Sequence, residues 1–140
     1  MKRNFFTMMV AAIVSLFALT SCEKKPTELI VGKWTVTSMN ISHDGFSIDI
    51  NPSEVGSNVT YTFRADGTGY NASVDAKVVE ESAFTYMMLT NGDKQILSIT
   101  VEGATENYEI LTLDDNNLVM FSEYTEDGQT LKIKMTLIRS

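Results

Sequence analysis

Three kinds of side chain in this 140-residue chain could do chemistry: a thiol, an imidazole and grouped carboxylates. The thiol is Cys22, the only cysteine, so the chain offers it no second sulfur for a disulfide or a thiolate metal site. The imidazole is His43, the only histidine, placed just before Asp44-Gly45 in an expected hairpin turn. Nucleophilic triads and histidine metal sites need converging partners, so a lone turn histidine reads as a solvated surface group. Carboxylates gather at Glu80-Glu81, at Asp114-Asp115 and at Glu123, Glu126 and Asp127. None follows the Asp-x-Asp-x-Asp-Gly spacing that wraps oxygens around calcium, and solvated turns account for them better. The sequence has no nucleophile elbow and no phosphate-binding loop. An enzyme is therefore not expected, and neither is a metal or a cofactor.

Cys22 takes its meaning from what precedes it. Lys2 and Arg3 supply a positive start, Phe5 to Leu19 is uncharged and largely apolar, and small residues follow. These are the three parts of an export signal. As a helix the apolar stretch would span roughly 22 Å, short of a hydrocarbon core of about 30 Å, so a retained transmembrane helix is the weaker reading. Residues 1–21 are expected to be removed, and residues 22–29 to form a polar tether broken by Pro26. Residues 30–140 are expected to fold as one domain. The full chain carries a net charge of −7, and loss of Lys2 and Arg3 makes it more negative still. An acidic surface with scattered bases argues against nucleic-acid binding and against lying flat on an anionic membrane.

From Gly32 onward the pattern is β. Phe46 to Ile50, Val59 to Phe63 and Leu131 to Leu137 alternate apolar and polar residues, which sends Leu131, Ile133, Met135 and Leu137 to one side. Asp44-Gly45, Gly56, Asp66-Gly67, Asn91-Gly92, Gly103, Asp115-Asn116-Asn117 and Asp127-Gly128 are the turn signals between strands. Gaps this short exclude helical crossovers, which leaves an antiparallel meander of about eight or nine strands. It can bury its apolar face as a closed up-and-down barrel or as a two-sheet β-sandwich. Asn51-Pro52-Ser53-Glu54 reads as a helix start, with Asn as cap and Pro first. Residues 71–82 fit a strand, a loop or a short helix. Tyr61, Phe63, Tyr70, Phe84, Tyr86 and Tyr108 fall on strands, where a shared inward face would make either a filled core or a pocket.

Two resemblances add to this. Leu19-Thr20-Ser21-Cys22 resembles the lipobox of bacterial lipoproteins. It implies a lipid on the Cys22 sulfur, cleavage before Cys22, and anchoring in the bacterial cell envelope, in the outer membrane on either its periplasmic or its outer face. Gly32-Lys33-Trp34, opening the first strand, resembles the Gly-x-Trp motif of lipocalins, in which the tryptophan plugs the closed end of the barrel. Phe63 to Gly69 is similar to a hairpin of small bacterial lipocalin-like lipoproteins, as is the terminal strand from Leu131 to Arg139. The resemblance implies the barrel rather than the sandwich, and an arginine stacked on Trp34, with Arg139 the natural match and Arg64 the reserve. It also implies a small hydrophobic ligand held by Tyr61, Phe63, Tyr70, Phe84, Tyr86 and Tyr108. The Thr-Asp-Tyr motif of many lipocalins is missing; Glu106-Asn107-Tyr108 matches it only loosely. The alternative function is a non-enzymatic interaction or inhibitor module of the envelope, with its protein partner unidentified.

Overall fold

Period-two alternation and closely spaced turns produce nine antiparallel strands in the computed structural model, which describes residues 24–140. Cys22 and the leader before it lie outside the described residues. The strands are β1 (Gly32–His43), β2 (Phe46–Ile50), β3 (Ser57–Phe63), β4 (Thr68–Asp75) and β5 (Val78–Asn91). They continue as β6 (Lys94–Val101), β7 (Ala104–Leu113), β8 (Asn117–Glu126) and β9 (Gln129–Arg139). Each consecutive pair from β3 to β9 forms a hairpin, and β9 returns to pair with β1 from Trp34–Arg139 to His43–Leu131. The fold is thus a closed barrel of β1 and β3 to β9, with β2 added alongside. Closure pairs β9 with β1 and so removes the edges those strands would present in an open sheet, leaving β2 at the edge.

Strand β1 is long enough to serve two neighbours on one flank. Its first half, Gly32 to Thr35, pairs with β3, and its second half, Met39 to His43, pairs with β2. A bulge between Val36 and Ser38 shifts the register in between, so the inner face runs Trp34, Val36, then Met39 and Ile41. On β9 the inner face is Ile133, Met135 and Leu137, with Lys132 and Lys134 alternating outward. Pro52–Val55 make a single 3₁₀ turn between β2 and β3, capped by the Asn51 side chain, which accepts from the Ser53 N–H at 3.1 Å. The stretch 71–82 resolves into the end of β4, a two-residue turn at Ala76-Lys77, and the start of β5.

Burial is uneven along the barrel. Trp34, Phe63, Leu97, Leu118, Met120 and Leu137 fill one end completely, with Ile30 beneath them. A fully buried side chain of this size contributes about 1.5–3 kcal/mol. Toward the other end the inner residues Ile133 and Leu131 are only half-buried. One end is therefore a packed plug and the other is a mouth, ringed by the β1–β2, β4–β5, β6–β7 and β8–β9 turns. A short helix, α1 (Pro26–Leu29), leads into the plugged end. No helix among the described residues is long and apolar enough to cross a membrane.

Candidate binding site in the barrel mouth

The floor of the mouth is built at the plugged end. Trp34 is wholly buried and donates its indole N–H to the Ile30 carbonyl at 2.9 Å. The Arg139 guanidinium lies over the Trp34 ring, 4.3 Å from its centroid. It also donates to three carbonyls: Nη1 to Val31 at 2.8 Å, Nη2 to Leu29 at 2.5 Å and Nε to Asp115 at 2.6 Å. One planar group thus ties α1, the β7–β8 turn and the last strand together. Gly32 has φ +132°, and a Cβ there would stand 2.5 Å from the Arg139 Nη1. The Gly-x-Trp spacing leaves room for the arginine. Arg64 sits elsewhere, 5.2 Å from the Tyr70 ring centroid.

Above this floor stands an aromatic layer. Phe63 and Phe84 meet at 5.3 Å between ring centroids, and Tyr86 stands edge-on to Phe63 at 5.0 Å. Gly69 makes the layer possible: it faces inward between Phe63 and Phe84, and the Phe84 ring occupies the space a side chain would take. The Tyr86 hydroxyl turns away from the mouth and donates to the Arg64 carbonyl.

Over the aromatic layer lies a cavity of about 270 Å³, open toward solvent and walled by inner-face residues from β3 round to β7. Phe84, Ile99, Val101 and Ala104 give it apolar walls. Tyr61, Asn71, Ser82, Glu106 and Tyr108 give it polar groups. The Tyr108 hydroxyl donates to Glu106 Oε2 at 2.5 Å. Burial pushes the Tyr108 phenol far above its usual range, and the Glu106 carboxylate it donates to adds to the shift. Tyr61 is also raised, chiefly by burial, with the Glu106 charge contributing against the opposing effect of Asn71. Shallower grooves of about 350 and 390 Å³ lie at the rim, by the β8–β9 and β1–β2 turns.

Of the six aromatics expected to hold a ligand, Tyr61, Phe84 and Tyr108 line the cavity. Phe63 and Tyr86 lie in the layer beneath it. Tyr70 requires correction. It pairs with Thr62 and Ala83, one residue out of step with the inward Gly69 and Asn71, and its ring lies under Arg64. Period two puts it outside the barrel. The inward residues that sequence reasoning passed over are Asn71, Ser82, Ile99, Val101, Ala104 and Glu106. Their signal was parity: once Tyr108 faces inward, Glu106 and Ala104 must as well. Among the described residues, no group of histidine, cysteine and carboxylate side chains could hold a metal ion.

A family model described as a lipocalin-like domain matches residues 30–120. Among solved structures, one similar chain is the siderocalin Ex-FABP, described as functioning through dual ligand specificities. It is 22% identical with a TM-score of 0.47, over 80% of this chain and 74% of that one. Another is lobster apocrustacyanin A1, 16% identical with a TM-score of 0.46, over 80% of this chain and 61% of that one. No curated protein matches the sequence.

Proposed function

We propose a binding role for this chain, which belongs to the lipocalin-like domain family: it holds a small, largely apolar molecule in the open half of its barrel. The observation that carries this reading is the cavity of about 270 Å³ above the aromatic layer. Its size suits a compact ligand, since drug-sized pockets run to about 300–1,000 Å³. Its apolar walls supply the burial energy, and its few polar groups fix orientation. Tyr61, Phe84 and Tyr108 contact the ligand in this reading, with Phe63 and Tyr86 supporting them from below. Carriage or storage suits this cavity better than catalysis, because among the described residues no nucleophile and base converge on it.

We further propose that Cys22 carries the lipid that its lipobox resemblance implies, after removal of residues 1–21. The segment 22–29, whose residues 26–29 form α1 held at the plugged end rather than a loose tether, then joins the barrel to the cell envelope, at the outer membrane.

Native mass spectrometry of protein purified from its own host should find one small molecule per chain, displaced by a fluorescent hydrophobic probe. Ala104→Trp, which fills the cavity, should abolish probe uptake while leaving cooperative unfolding intact. Undiminished uptake by that variant would sink the cavity reading. Metabolic labelling with a fatty-acid analogue should mark the wild-type chain and leave Cys22→Ala unmarked.

A second reading, a protein-interaction module, is favoured by one observation. Among the described residues strand β2 pairs with β1 alone, and its Phe46 and Ile48 are 77% and 57% exposed. A free edge with apolar side chains is a surface on which another chain can add a strand. In-cell cross-linking from β2 should recover a single dominant partner if this reading holds.

A further inference from the structure

We infer that the barrel mouth selects a cationic ligand, an amphipathic amine rather than an acid, with its charged end at Glu106 and its apolar body on the Phe84 layer. The inference deepens the binding reading above and rests on it.

The register places the carboxylate. On β7, Ala104, Glu106 and Tyr108 share the inner face, and Glu106 stands opposite Ile99 of β6. Its side chain therefore projects into the open part of the cavity, exposed to solvent at the mouth with Ile99, Val101 and Ala104 on the wall beside it. Tyr108 occupies one acceptor position of the carboxylate, which has about four. The tyrosine is held neutral by burial, so it orients the carboxylate without cancelling its charge.

Among the described residues, none brings a cation to this point. The cavity lining contains neither lysine, arginine nor histidine. The ion pairs among the described residues are Lys24–Asp115, His43–Asp44 and Lys94–Glu109, and none reaches Glu106. Lys132 and Lys134 alternate outward on β9, while Arg139 is committed to the plugged end. Around the mouth, the turns carry Asp44, Glu102 and Asp127 against Lys77 alone. A concave site whose rim carries net negative charge concentrates the opposite sign. A ligand carboxylate would meet Glu106 with nothing to neutralise either charge. An ammonium would pair with Glu106 and gain from the aromatic rings of Tyr61 and Tyr108 beside it.

The test uses the whole mature chain and three probes of one shape: 1-naphthylmethylamine, 1-naphthylmethanol and 1-naphthoate, followed by naphthalene emission at neutral pH. The amine should bind about tenfold tighter than the alcohol, and the acid more weakly than both, as expected for one partly solvated charge pair. Glu106→Gln keeps the acceptor for Tyr108 and should erase the tenfold preference. Added salt should weaken amine binding to the wild-type chain and leave alcohol binding unchanged, a readout that needs no variant. Equal affinity for all three probes, or preference for the acid, overturns the cation inference and leaves the binding reading standing. Failure of all three to bind overturns both.

Discussion

Gly69 lets two aromatic rings meet on the inner wall, and that absence of a side chain shapes the site more than any polar group does. A Cβ at this position would collide with the Thr62 carbonyl oxygen and with the Phe84 ring. Gly69→Ala should therefore cost about 1–3 kcal/mol, the usual penalty for overpacking, read as a lowered denaturant midpoint. Because Phe84 lines the cavity, a shift of its ring away from the new Cβ should also lower probe affinity. A midpoint within error of wild type would mean that the aromatic layer yields more easily than its packing implies. Residue types alone did not separate the six strand aromatics. Tyr70 shares aromatic character and a strand position with the others, yet its parity relative to Gly69 sends it outward. Glu106 stands out in the sequence only as part of a loose motif, because a strand glutamate beside a cavity has the same local signature as one on an outer face.

At the scale of elements, most turns announced themselves through Gly, Asn and Asp, and the one at Ala76-Lys77 did not. Both residues hold positive φ, at 45° and 76°, without a glycine or asparagine to favour it. Cross-strand pairing of Val74 with Val79 and Asp75 with Val78 closes that hairpin instead. This explains why residues 71–82 fitted a strand, a loop or a short helix when read by composition. Strand β2 is the element with the weakest support, flanked by β1 alone and held on its polar side by Asn40, which donates to Ser47 Oγ at 2.9 Å and Asp49 Oδ1 at 2.7 Å. Its amides should exchange with solvent at least about tenfold faster than those of β8 and β9, which lie inside the closed ring. Protection equal to that of β9 in cell-derived protein would mean that a partner covers the β2 edge.

For the whole molecule, the plug and the mouth differ in charge as well as packing. At the plugged end Lys24, Lys25, Lys33, Arg64, Lys94 and Arg139 nearly balance Glu28, Asp66, Asp93, Asp114 and Asp115, whereas the turns at the mouth carry Asp44, Glu102 and Asp127 against Lys77. The step from Cys22 to Pro26 spans at most about 14 Å of extended chain. A lipid on Cys22 would accordingly hold the plugged end near the headgroups and turn the mouth away from the bilayer. On vesicles carrying the anchored chain, a fluorophore at Asp93→Cys should be quenched by a lipid-borne quencher and one at Asp127→Cys should not. The opposite pattern would mean that the mouth faces the membrane. The antiparallel strands, most of their turns and the in–out alternation of β9 were already determined by local chemistry, because pleat and turn sterics act within a few residues. The tertiary structure decided that β9 closes onto β1 rather than a second sheet forming. It also decided that Arg139 rather than Arg64 covers Trp34, and that Glu106 meets Tyr108 and Tyr61 around one cavity. Closure depends on strand register summed around the whole ring, and no single stretch of sequence carries that sum.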